Sequence, residues 1–153
     1  EFYGGLCLRT KAGARGIGKT SVIKINNYKI AIFCFSPIFT RYFIDRIRKI
    51  SNHECNKMIM KVLKTKKISD FLELSYQFSK SLGYANTSCS SLIDILVQNG
   101  FSGSTALFGQ TVFTIVKENE LSTIGKISKN FPARLYISDI ENEGAKIIRK
   151  NDT

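Results

Sequence analysis

Apolar residues in this chain follow two periods. Short runs of β-branched and aromatic residues mark strands, and longer stretches with apolar residues three and four apart mark helices. Three strand-like runs come first, at residues 6–10, 20–25 and 29–35. The third is apolar at nearly every position, the pattern of a strand buried on both faces. Asn26-Asn27 is a turn signal before it, and Pro37 stops it. Four helical patterns follow. Phe39, Phe43, Ile44, Ile47 and Ile50 make one stripe, with Thr40 as its candidate N-cap. Cys55, Met58, Ile59, Val62 and Leu63 make the second, after Asn52. In the third, Phe71, Leu74, Phe78 and Leu82 face inward, Ser69 or Asp70 opens the helix and Gly83 ends it. In the fourth, Leu92, Ile93, Leu96 and Val97 carry the stripe, Thr87 or Ser88 caps it and Gly100 stops it.

Residues 100–116 then read as a β-hairpin. Its arms are 104–108 and 111–116, joined at Phe108-Gly109-Gln110. Ser102, Gly103, Ser104, Thr105 and Ala106 are all small, so a second backbone or a ligand can come close. The hydroxyls of Ser104 and Thr105 suit phosphate or carboxylate oxygens. The competing reading is a tight hairpin in a core sheet, small because its neighbours are large. A helix at about 119–129, a strand at 133–137 and a helical or irregular tail at 139–150 complete the chain. From residue 29 onward the order is βαββαβ, with extra helices in the first crossover. That predicts an α+β domain of ferredoxin-like, split-βαβ type, with an antiparallel sheet and helices on one face.

The chain has 153 residues, enough for one domain with a sizeable core. Its formal charge of +11 is uneven: residues 1–67 hold 15 Lys/Arg against 3 Asp/Glu, and residues 68–153 hold 8 against 9. A basic first half fits an anionic partner or a lysine-rich solvated surface. The aromatic strand motif of RNA-binding domains is missing. No apolar run approaches the roughly 20 residues of a membrane helix. Cys7, Cys34, Cys55 and Cys89 include no Cys-x-x-Cys pair and there is one histidine, His53, so no zinc site is expected. Cys7 and Cys34 read as small hydrophobes in strands, in keeping with a reducing cytoplasm. His53-Glu54-Cys55 lies at the start of a helical pattern and reads as exposed polar residues around one inward Cys.

Gly13-Ala14-Arg15-Gly16-Ile17-Gly18-Lys19-Thr20 matches the G-x-x-x-x-G-K-T phosphate-loop pattern letter for letter. The chemistry of that loop requires a helix to start after it, so that N-terminal amides and the helix dipole hold the phosphates. Here β-branched residues and a turn follow, so a nucleotide site of that kind is excluded. A basic Gly-rich loop remains, in which Arg15 or Lys19 can meet an anion.

Three stretches together resemble the C-terminal half of the GHMP kinase superfamily, with the archaeal pantoate kinases as the nearest branch. They are Tyr3-Gly4-Gly5-Leu6 with Lys11-Ala12-Gly13-Ala14-Arg15-Gly16-Ile17-Gly18; Ser36-Pro37-Ile38-Phe39-Thr40; and Ser102 through Phe113. The resemblance covers nearly the whole chain. It implies a ferredoxin-like C-terminal domain at 29–153, preceded by closing strands of an N-terminal kinase domain at 1–28. It implies that the hairpin is the family's third motif, facing the active-site cleft. Gly103, Ser104, Thr105, Ala106, Gly109 and Gln110 then lie near the transferred phosphate or the acceptor, and Thr40 lies beside the ligands. The Gly-Ala-Gly-Gly-Gly type of run is replaced by Ser-Thr-Ala-Leu-Phe-Gly.

The family's ATP-binding motif, Pro-x-x-x-Gly-Leu-x-Ser-Ser-Ala, occurs nowhere in the chain. The catalytic residues are therefore expected before Glu1, in a longer parent. The parent is expected to use ATP and Mg²⁺ to phosphorylate the hydroxyl of a small carboxylate, pantoate, in coenzyme A biosynthesis. It is expected to be a cytoplasmic homodimer with no membrane or nucleic-acid partner, and the chain alone to be inactive. Two other classes stay open: a basic nucleic-acid-binding module, and a ligand-sensing domain.

Overall fold

The computed structural model describes residues 3–11, 18–37, 57, 60–61, 67–81, 83, 85–106 and 110–145. The first helical pattern lies outside these residues, as do all but Lys57, Met60 and Lys61 of the second region, which are helical. His53-Glu54-Cys55 also lies outside them. The chain divides into two units, residues 1–28 with 139–153, and residues 29–138.

In the first unit, β1 (Leu6–Lys11) and β2 (Lys19–Ile23) pair antiparallel, with Leu6 opposite Ile23 and Cys7 opposite Val22. Lys19–Ile23 is strand, as the β-branched sequence requires, and no helix opens after the Gly-rich loop. Cys7 is exposed, which corrects its reading as a small core hydrophobe; its partner position across the ribbon, Val22, is exposed as well. Two strands alone are marginally stable, and residues 140–143 supply what the ribbon lacks. The Asn142 side chain pairs with both backbone groups of Ile25: Oδ1 accepts from its N–H at 2.8 Å and Nδ2 donates to its carbonyl at 2.8 Å. Gly5 N–H donates to the Glu141 carbonyl at 2.6 Å. This closeness explains Gly4, where a Cβ would overlap the Asn142 carbonyl carbon. Asn142→Ala removes both bonds to Ile25, which is 5% exposed. We expect it to cost about 1–3 kcal/mol of stability, read as a lower urea midpoint, with earliest hydrogen exchange at Ile25.

In the second unit, β3 (Lys29–Cys34), α1 (Ile68–Ser81), α2 (Thr87–Gln98), β4 (Gly103–Thr105), β5 (Thr111–Val116), α3 (Leu121–Ser128) and β6 (Arg134–Asp139) follow in order. The sheet runs β4-β5-β3-β6. β5 is antiparallel to both its neighbours, with Phe33 opposite Val112 and Thr105 opposite Val112 from the other side. The class is thus α+β with antiparallel sheets. Ala31, Phe33, Val112, Val116, Cys89, Leu92, Ile93, Leu96, Ile124 and Ile127 form one buried core. β3 is fully buried only at Ala31 and Phe33; Ile30, Ile32 and Cys34 are half-buried. The expectation of burial on both faces is corrected by period-2 alternation against a single core.

The helix termini follow local chemistry. α2 is capped by Asn86, whose Oδ1 accepts from the Cys89 N–H at 2.8 Å, rather than by Thr87 or Ser88. At its other end Phe101 N–H reaches the Leu96 carbonyl and Gly100 N–H the Val97 carbonyl, both at 2.9 Å, with Gly100 at φ 82°. That is the glycine-dependent Schellman closure. Val97, expected in the inward stripe, is 60% exposed, which corrects that expectation. In α1 the buried residues are Leu72 and Ser79, with Tyr76 against the core between them, while Phe71, Leu74 and Phe78 are half-buried. α1 packs on β4, whose residues are small. A close contact of this kind selects the helix face that carries Ser79, so apolarity alone misplaced the stripe.

Candidate functional site

β4 is three residues long, and all three are buried. Side chains alternate along a strand, so Gly103 and Thr105 share one face and Ser104 takes the other. A Cβ on Gly103 would stand 3.1 Å from Leu96 Cδ1, so glycine is what lets α2 lie against the strand. Thr114, opposite Gly103, is fully buried and satisfies its hydroxyl by donating to the Ser102 carbonyl at 2.7 Å. Ser104 and Thr105 differ. They are 0% and 4% exposed, and neither hydroxyl oxygen has a hydrogen-bond partner among the described residues. Leaving a buried hydroxyl unpaired costs about 1–3 kcal/mol, and such groups call for an explanation.

The hairpin closes through Ala106 N–H to the Thr111 carbonyl at 2.9 Å. Just beyond, Gln110 is held twice by the end of β3. Its carbonyl accepts from Phe35 N–H at 2.9 Å, and its Oε1 accepts from Ser36 Oγ at 2.8 Å. The Ser36-Pro37 stretch and the hairpin, 74 residues apart, therefore meet. This brings Ser104, Thr105, Ala106 and Gln110 into one structure with Ser36, which the sequence flags only as part of a motif. Thr40, Gly109 and Arg15 lie outside the described residues. Lys19 is exposed on β2, in the other unit.

A groove of about 500 Å³ runs along α1 and α2, lined by Glu73, Tyr76, Lys80, Asp94 and Phe101 among others; it touches β4 only at Gly103. Among the described residues no group of His, Cys, Asp and Glu side chains is placed to hold a metal ion. No helix among them is long and apolar enough to cross a membrane.

Cys89 lies under the core, 1% exposed, and burial pushes its thiol up to about 11. An unfolded cysteine ionises near pH 8.5, so the folded chain holds this proton where the unfolded one releases it. The resulting stability is complete below about pH 8.5 and is lost as pH rises toward 11. The stability gap between the native chain and Cys89→Ala should therefore narrow over that window. At neutral pH an alkylating reagent should label exposed Cys7 and spare Cys89 until the chain unfolds.

No family model matches the chain. It is 24% identical over 153 residues to the pantoate kinase of Thermococcus kodakarensis, covering 97% of this chain and 50% of that protein. Among solved structures, a phosphotransferase related to the CoA biosynthesis pathway superposes with a TM-score of 0.83 at 21% identity, over 98% of this chain and 50% of the other. A mevalonate kinase gives 0.66 at 23% identity, over 83% and 46%. Mevalonate-3-kinase from Thermoplasma acidophilum, with mevalonate bound, gives 0.65 at 16%, over 92% and 52%. The fold is thus the one found in about half of each of these solved structures. In sequence the chain is similar to that pantoate kinase, and it spans about half the length of that curated relative.

Proposed function

We propose that this chain is the C-terminal half of a GHMP-type kinase that transfers the γ-phosphoryl group of ATP to the hydroxyl of pantoate, in coenzyme A biosynthesis in the cytoplasm. The strand order β4-β5-β3-β6 supports a ferredoxin-like domain that begins at Lys29, with additional helices in its first crossover. Residues 1–28 are then the closing strands of the preceding domain. The observation that carries the reading is the pair of buried, unpartnered hydroxyls on Ser104 and Thr105, in the stretch that resembles the family's third motif.

In the transfer, the acceptor oxygen bonds to the γ-phosphorus, the bond to the ADP oxygen breaks, and the acceptor hydroxyl loses its proton. Phosphoryl transfer of this kind rests on positioning and charge stabilisation. The family's ATP-binding motif does not occur in the chain, so we assign ATP, Mg²⁺ and the catalytic residues to the preceding half. This chain supplies the acceptor wall. Gly103 lets α2 lie close against the strand, Ala106 leaves room, Ser104 or Thr105 donates to the acceptor or the moving phosphate, and Gln110, fixed by Ser36, orients the hairpin end. Gly109 and Thr40 complete the wall, and Arg15 and Lys19 serve as anion contacts. The parent enzyme is a homodimer in this reading.

The test is ADP release by the full reading frame with ATP, Mg²⁺ and, separately, pantoate, homoserine, mevalonate and galactose. Pantoate-dependent release is expected, with none from the 153-residue chain alone. Release with another acceptor would keep the kinase and remove pantoate. Turnover by the chain alone would falsify the half-enzyme assignment. The uneven basic charge favours a nucleic-acid-binding reading as the second choice; it requires RNA affinity that falls steeply with salt.

A further inference from the structure

The start of β6 lies at the hairpin end of the sheet. β6 is the neighbour of β3. Phe131, ahead of β6, meets Phe35, just after β3, edge to face with ring centroids 6.3 Å apart. Phe35 N–H in turn donates to the Gln110 carbonyl, and Gln110 Oε1 accepts from Ser36. Arg134, the first residue of β6, is therefore at the same end of the sheet as Cys34, Thr111 and Ala106.

Arg134, Cys34 and Thr111 also share a face. Leu135 packs against the core, so alternation turns Arg134 and Tyr136 to the other side of the sheet. Phe33 and Val112 belong to the core, so Cys34 and Thr111, which stand opposite each other, take that other side too. Thr111 Oγ1 donates to Cys34 Sγ at 4.0 Å, and Arg134 is near enough to Cys34 to interact with it electrostatically. From Arg134 through Cys34 and Thr111 to Ala106 the row crosses four strands, roughly 14 Å at the usual strand spacing.

Arg134 is exposed, and its Nη1 donates to Tyr136 Oη at 3.2 Å. That bond uses one of the five guanidinium donors and holds the group over the sheet. No carboxylate of the described residues is paired with it. Sulfur is a weak acceptor, so the Thr111 hydroxyl gains by turning to an oxygen ligand.

We propose that Arg134 binds the carboxylate of the acceptor, with Thr111 beside it, and so selects acid acceptors over neutral ones. This rests on the kinase reading above and adds a specificity-determining residue to it. The planar fork of arginine matches the two oxygens of a carboxylate. A small hydroxy acid fits along the row, with its acid group over β3 and its hydroxyl toward Ala106 and the hairpin end. The attraction between the two charges is the same before and during transfer. It strengthens substrate and transition-state binding alike, so its loss belongs in KM rather than kcat.

The test uses the full reading frame, native and Arg134→Gln, with pantoate and with its primary amide, in which the acid group is neutral. The native enzyme should prefer the acid. Arg134→Gln should raise KM for pantoate about 10–100-fold, as fits the loss of a hydrogen bond to a charged group, leave kcat within about two-fold, and treat acid and amide alike. Arg134→Lys, which keeps the charge without the fork, should recover part of the loss. Titration calorimetry with pantoate makes the same comparison without turnover. Both variants should melt with the native protein, because Arg134 is exposed. If homoserine or mevalonate is the acceptor, that acid and its amide take the place of pantoate. Native turnover of an acid, with KM and the preference over the amide unchanged in Arg134→Gln, overturns this inference and leaves the kinase reading standing. Turnover of galactose and of none of the acids overturns it as well. No turnover with any acceptor removes the kinase reading and this inference together.

Discussion

Phe33→Ala should cost the protein about 3–5 kcal/mol, the range for truncating a buried aromatic residue. Phe33 is 0% exposed, the largest of the fully buried side chains among the described residues. It stands on β3 opposite Val112, in one cluster with Leu92, Leu96 and Ile124, so strand and helix contacts are lost together. The neighbours cannot collapse into the space cheaply, because Phe33 belongs to a strand paired residue for residue with β5. Native domains hold about 5–15 kcal/mol in all, so the variant should be near the edge of folding at 37 °C. Urea denaturation followed by circular dichroism checks it, with Phe33→Leu as the milder companion. A loss under about 1 kcal/mol would show that β3 does not organise the core.

Thr105→Val should move stability and activity in opposite directions. The substitution keeps the branched shape and deletes a hydroxyl that is buried and unpartnered. Folding no longer leaves that group unpaired, so stability should rise by about 1 kcal/mol, or about 2–4 °C in Tm. If the hydroxyl meets acceptor or phosphate in the parent kinase, kcat/KM should fall by about 10–100-fold, the worth of one hydrogen bond to a charged group. Ser104→Ala is the control on the opposite face of β4. A purely structural hydroxyl would leave kcat/KM unchanged. Thermal melts and steady-state ADP release on the same preparation decide between them.

Much of the sheet was legible because strand signals here are local. The near-continuous apolar run at 29–34, the β-branched and aromatic run at 111–116, the small residues at 103–105 and the turn at Asn27, which takes φ 63°, each mark their element without help from elsewhere, though the alternation of burial along β3 and β5 emerges only in the structure. The motif stretches carried the kinase resemblance, and the comparisons agree with it in fold and in sequence. What the sequence did not reveal depends on distant partners. The buried face of α1 is set by its contact with β4 rather than by its most apolar stripe. Cys7 reads like any strand cysteine, and the structure leaves its face of the ribbon exposed. Asn86 looks like a loop residue until its oxygen is seen on the Cys89 N–H. The hold of Ser36 on Gln110 and of Asn142 on Ile25 joins residues 74 and 117 positions apart, and no periodicity reports such pairs.

The Asn142 clasp also orders events in time. Ile25 emerges from the ribosome well before its side-chain partner, which is 117 residues further along the chain. At synthesis rates of about 5–20 residues per second, the ribbon waits on the order of ten seconds for that amide. The intervening unit, residues 29–138, holds its own core and sheet and is complete before Asn142 is made. The ribbon is thus secured only after the unit that follows it. A translational pause before Asn142, or loss of residues 142–153, would leave residues 29–138 folded and the β1–β2 hairpin unfastened, the form that proteases and chaperones would meet first.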